Sequence, residues 1–199
     1  MRHGKELPLF YMYDSYQAEQ AGWRDLLVAG GRHSVRNTPY DGVFIGLLVE
    51  KIHQKQLEES GFDGYYTYFA SNGFTYGSTT HQWRSFAKQA AAHDKLFIPS
   101  VGPGYVDDRV RPWNKRNTKE RKQGEYYRDS FSDAIASKAS LISITSFNEW
   151  HEGTQIERAV PKRTADYTYL DYSPHDPDYY LQLTKQFVDL FSHSAISKH

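Results

Sequence analysis

The sequence predicts an α/β protein built of parallel βα units, a (β/α)8 TIM-type barrel present as a truncated barrel of about five βα units. Three observations lead there. Apolar segments of strand length alternate with amphipathic segments of helix length from Leu7 onward, the pattern of parallel βα units. The last apolar strand runs directly into two carboxylates beside an indole and an imidazole, and barrel enzymes keep their active sites at the C-terminal ends of strands. No glycine-rich nucleotide loop follows any strand: Gly102-Pro103-Gly104 continues into Tyr105-Val106-Asp107 without a third glycine or a helix signal, which argues against a doubly wound sheet. A complete barrel takes about 250 residues. The chain has 199, hence the truncation.

Each element has its own warrant. Leu7–Tyr13 reads as a strand with Pro8 at its start, where a missing N–H does least harm. A helix over Gln17–Val28 carries Ala21, Trp23, Leu26 and Leu27 as a partial apolar stripe and ends at Gly30-Gly31. Asp41-Gly42 introduces the strand Val43–Val49, followed by a polar helix over Lys51–Ser60 that stops at Gly61. Gly64–Phe69 is the third strand. Thr80 caps a helix over His81–Asp94, with Trp83, Phe86 and Ala90 on one face.

Leu96–Val101 is the fourth strand. The long loop Tyr105–Gln123 comes next, with Arg109, Arg111 and Trp113, and a loop of that length inside a compact domain is usually functional. Glu125–Ala139 reads as a helix and Leu141–Ser146 as a buried fifth strand, alternating aliphatic groups with small hydroxyls. Ala159–Tyr172 reads as irregular. Pro177 at the first helical position opens a last helix with Tyr180, Leu181, Leu183, Phe187 and Leu190 inward.

Composition narrows the function classes. Twenty-four basic and 24 acidic residues balance, which argues against a nucleic-acid partner. No apolar run approaches the 18 or so residues of a membrane span. There is no Cys, so there is no disulfide framework. Aromatic residues make up 16% of the chain, mostly Tyr and Trp, whose rings join an apolar face to a polar edge and suit stacking on sugars.

The chemistry is expected in Leu141–Gln155. Asn148, Glu149, Trp150, His151 and Glu152 follow the strand without a gap, and Glu149 and Glu152 are the candidate acid/base pair. His151-Glu152 lacks the second histidine of a zinc metalloprotease helix, so no metal is expected. No cofactor is expected either.

Four stretches taken together resemble a known family: Ser143 to Glu157, Arg36 to Phe44, Tyr66 to Phe74 and Ile98 to Tyr105. They are similar to glycoside hydrolase family 99, the endo-α-1,2-mannosidases, and the similarity runs from about His3 to Ser192. The resemblance implies residues 1–199 as the C-terminal portion of a catalytic barrel, without a metal, acting on high-mannose N-glycan in the Golgi. The implied reaction cuts the internal α-1,2-mannosidic bond of glucosylated glycans with retention. By the same resemblance Glu149 is the base for the mannose 2-hydroxyl and Glu152 the acid/base at the leaving oxygen. Tyr68 and Arg111 stand where the family surrounds the leaving mannose, and Trp113, Asn148, Trp150 and His151 are further substrate-binding candidates. Full family members begin with additional strands, before the point matched by Met1–Gly4. The alternative is therefore a non-catalytic remnant that binds glycan or associates with a full-length relative.

Overall fold

The computed structural model describes residues 6–108 and 111–196; Met1–Gly4 and Arg109 lie outside that range. In chain order it runs β1 (Leu9–Met12), α1 (Gln20–Leu27), β2 (Val43–Leu47), α2 (Lys51–Glu59), β3 (Gly64–Tyr66), α3 (Trp83–Ala92), β4 (Leu96–Ile98), β5 (Ser100–Val101), α4 (Glu125–Ala136), β6 (Ser143–Ile144) and α5 (Tyr179–Ile196). Every ladder between these strands is parallel: β1, β2, β3 and β4 pair in that order, and β5 pairs with β6. This is a partial TIM-type barrel with its staves in sequence order.

The expected strand Leu96–Val101 is two strands. Pro99 has no N–H, so a ladder cannot run through it. Before it the chain pairs with β3, and after it with β6. Side chains bridge the break: the Ser100 N–H donates to Thr67 Oγ1 (2.9 Å), and the Tyr68 N–H donates to Ser100 Oγ (2.7 Å). The fifth strand is also shorter and less buried than expected, with Leu141 39% exposed, because β6 pairs on one side only among the described residues.

Strand side chains alternate between two layers, as the pleat requires. Ile45, Leu47, Tyr66 and Ile98 form the inner cluster. Tyr65 and Phe97 point the other way, into the helix layer with Leu57, Phe62, Trp83 and Phe86. Gly46 stands where a Cβ would lie 2.3 Å from a Leu57 methyl, which lets α2 sit directly on β2. In α5, Tyr180, Leu183 and Phe187 are buried, with Phe187 stacked on Phe131 of α4 at 4.5 Å. Leu190 is exposed instead of inward, because the stripe of Tyr180, Leu183 and Phe187 continues through Phe191, and Pro177 precedes the first turn of the helix by two residues.

Arg36 holds the opposite end of the barrel from the strand C-termini. Its guanidinium donates to the carbonyls of Leu27, Gly42 and Gly61 and to the carboxylates of Asp41 and Asp63. It thereby joins the end of α1 to the entrances of β2 and β3. The Arg36–Phe44 stretch is therefore structural in its contacts.

Candidate active site

All the strand ends open on one side. A cleft of about 450 Å³ there is lined by Tyr13 and Asp14 after β1, Glu50 after β2, Tyr68 after β3, Arg111 from the long loop, and Glu152 after β6. The loop carrying Glu152 closes on itself. The Ser146 N–H donates to the Thr154 carbonyl (3.1 Å), the two hydroxyls meet at 2.8 Å, and the Glu149 N–H donates to Ser146 Oγ (2.9 Å). Arg121 fastens it from below, donating to the carbonyls of Gly153 (2.9 Å) and Gln155 (2.7 Å) while its guanidinium lies over the Tyr180 ring at 4.5 Å. The polar run after the fifth strand is thus a rigid platform.

Tyr68 is held in an unusual place. Its φ is 54°, left-handed backbone that a bulky residue seldom adopts. The Ser100 bond at its N–H and a 2.5 Å bond from Thr145 Oγ1 to its carbonyl fix it there. Its ring packs edge-on against Tyr13 and Phe69. Burial, and after it the negative charges of Glu152 and Glu149, push its hydroxyl up to about 12, so it remains a neutral donor at working pH.

Glu152 is mostly buried, and its Oε1 accepts from Arg111 Nη1 at 2.9 Å. The same nitrogen donates to Asp107 Oδ2 at 2.8 Å, and these bonds to Asp107 and then Glu152 raise the arginine above its ordinary value. Glu149 is exposed and borders a second hollow of about 480 Å³ with Asn148, Trp150, His151 and Tyr169. Its negative charge adds a smaller upward push on the Tyr68 hydroxyl.

The structure therefore brings Tyr68, Arg111 and Glu152 into one cleft and places Glu149, Asn148, Trp150 and His151 around the second hollow. Trp150 donates its indole N–H to Glu157 Oε1 (2.5 Å), and its ring and that of His151 meet Tyr169 edge-on. Tyr169 belongs to a small hairpin, bridged at Arg163 and Thr168, inside the stretch that reads as irregular. Trp113 is not brought in: it is 73% exposed and lines neither space.

Sequence reasoning missed Tyr13, Asp14 and Glu50, although each directly follows a strand and the strand-end rule points at them. It also missed Asp107, whose only signal is its four-residue spacing from Arg111.

A parallel barrel whose strand ends open on a cleft that holds Glu152 seated on an arginine and walled by tyrosines fits the class of glycoside hydrolases. Comparison with known proteins gives the family. Residues 1–193 match Glycosyl hydrolase family 99, and the chain belongs to it. It is 56% identical over 191 residues to a glycoprotein endo-alpha-1,2-mannosidase of Mus musculus, covering 96% of this chain and 41% of that protein. It is 54% identical over 189 residues to a glycoprotein endo-alpha-1,2-mannosidase-like protein of Danio rerio, covering 95% of this chain and 43% of that one. The chain thus spans about two fifths of the length of the curated relatives it matches. The structure of the GH99 endo-alpha-mannosidase from Bacteroides thetaiotaomicron superposes with a TM-score of 0.92 at 54% identity, covering 98% of this chain and 56% of that one.

Proposed function

We propose that the protein is a retaining, endo-acting glycoside hydrolase that cleaves the internal α-1,2-mannosidic bond of glucosylated high-mannose N-glycans and releases glucosylated mannose. Residues 1–199 would be the C-terminal portion of its catalytic barrel, and the family resemblance makes the Golgi the proposed location. The observation that carries the reading is Glu152, seated on Arg111 in a cleft with Tyr68, with Glu149 three residues earlier on the same closed loop. Relatives at 54–56% identity bearing endo-alpha-1,2-mannosidase names supply the bond.

The family resemblance implies the chemistry that these residues would carry. Glu149 takes the proton of the mannose 2-hydroxyl, and O2 attacks C1 of the same sugar. The C1–O bond to the leaving mannose breaks as Glu152 delivers its proton to that oxygen. A 1,2-anhydro sugar results. Water then enters, gives a proton to Glu152 and adds to C1 as the C1–O2 bond breaks, while Glu149 returns its proton to O2. Two displacements at C1 give net retention. Tyr68, as a neutral phenol, and Arg111 hold hydroxyls of the leaving sugar, and Asn148, Trp150 and His151 line the approach.

The test is incubation of the protein, Glu149→Gln and Glu152→Gln with a glucosylated high-mannose glycan, following release of glucosylated mannose. Release by the parent and loss in both variants is the expected result. Binding of the glycan by all three proteins without release by any would favour the non-catalytic alternative.

A further inference from the structure

We propose that Asp107 is a positioning residue for Glu152, acting through Arg111: it takes half of one guanidinium nitrogen and thereby sets both the place and the proton affinity of the carboxylate. The proposal rests on the reading of Glu152 as the acid/base group. The Asp107 side chain has no exposed surface, whereas that of Arg111 is 42% exposed. Arg111 Nη1 carries two protons. Asp107 Oδ2 lies 2.8 Å from that nitrogen and Glu152 Oε1 2.9 Å, so each carboxylate takes one. The backbone repeats the link, with the Arg111 N–H donating to the Asp107 carbonyl at 2.7 Å. The Val106 N–H donates to the Glu152 carbonyl at 2.8 Å, which ties the two segments side by side.

This sharing resolves a conflict. An arginine given wholly to Glu152 would hold it as a carboxylate, because an opposite charge within hydrogen-bond range favours the ionised form. A general acid must instead carry a proton when the glycosidic bond breaks. A second, buried carboxylate on the same nitrogen offsets the positive charge while leaving the arginine locked in place. The charge that offsets it cannot move away, since Asp107 is enclosed and joined to Arg111 within one turn of chain.

Other titratable groups face Glu152 across the cleft. Asp14 and Glu50 project from the ends of β1 and β2, and Glu149 shares its loop. Tyr13, Tyr16, Tyr68 and Tyr105 complete the wall. The tyrosines are neutral at working pH, and the three carboxylates act on Glu152 equally whether or not Asp107 is charged. None of them touches Arg111 Nη1 at the distances that Asp107 and Glu152 do.

The experiment is a carbon-detected NMR titration of the Glu152 carboxyl, assigned through Glu152→Gln, in the parent protein, Asp107→Asn and Arg111→Gln. Asp107→Asn is expected to move the Glu152 midpoint down by about one pH unit, and Arg111→Gln to move it up by about as much. Asp107→Glu is expected to restore the parent midpoint in part. An unmoved midpoint in folded Asp107→Asn overturns the proposal. Should that variant fail to fold, Arg111→Gln decides, because its side chain is partly exposed; an unmoved midpoint there overturns the proposal equally. Hydrolysis adds an independent arm: the alkaline limb of the pH–kcat/KM profile is expected at lower pH in Asp107→Asn. If no protein in the series hydrolyses glycan but the midpoints move as stated, the glycosidase reading fails and the charge sharing stands.

Discussion

The hydroxyl of Thr145, just after β6, donates a 2.5 Å hydrogen bond to the carbonyl of Tyr68, 77 residues earlier and just past the end of β3. That bond joins the strand leading to Glu149 and Glu152 with the strand that presents the cleft tyrosine. It also secures Tyr68 in left-handed backbone, a conformation that persists only where surroundings over-determine it.

Thr145→Val removes the donor and keeps the shape, leaving a carbonyl without this partner in a largely buried setting. The expected loss is about 1–3 kcal/mol of stability. A lower urea midpoint at unchanged slope is the readout. A midpoint equal to that of the parent would mean that the bond is not what holds Tyr68.

Arg36→Met should be more damaging than any single change at the cleft. Asp41 and Asp63 would lose the buried cation they share, and removing one partner of such a pair costs about 3–5 kcal/mol. Thermal unfolding measures this. A melting temperature close to that of the parent would contradict the clamp.

Trp113→Ala should change stability by less than about 0.5 kcal/mol, as exposed positions do, and leave glycan release near the parent rate. A severalfold drop in release with an unchanged melting temperature would show that Trp113 reaches the substrate after all.

Alkaline pH should unfold the protein through its tyrosines. Burial raises Tyr68 and Tyr126 from the ordinary value of 10.0 to about 12, and raises Tyr65, Tyr66, Tyr127 and Tyr172 as well. Below pH 10 these phenols are protonated in both states and their contribution is fully present. Above it the unfolded chain loses protons that the fold retains, so stability falls as pH rises from 10 toward 12. Phenolate absorbance should therefore rise together with loss of helical circular dichroism. Complete ionisation with secondary structure intact would contradict the burial.

The parts of this structure that were legible in the sequence are those written locally. Alternation of apolar strands with amphipathic helices showed the βα order, and the dense polar run after Leu141–Ser146 marked the loop of Glu149 and Glu152. Pro99 was visible, but its effect, handing one strand from β3 to β6, depends on which neighbours the barrel supplies. Asp107 reads as one charge among many until folding encloses it beneath Arg111. Trp113 shows the reverse, an aromatic in a functional loop whose exposure is settled only by tertiary packing. The Arg36 stretch also carried the family resemblance, yet Arg36 bonds backbone carbonyls and two aspartates at the far end of the strands.

The central claim is that Glu149 and Glu152 cleave the α-1,2-mannosidic bond with retention. The most direct measurement is proton NMR of the freshly released glucosylated mannose, before mutarotation, from the parent protein and from Glu149→Gln and Glu152→Gln. The α-anomer is expected first, with release reduced by at least about 1,000-fold in each variant, the scale expected when a group central to an acid/base mechanism is removed. A β-anomer as first product, undiminished release by either variant, or no release by the parent would contradict it.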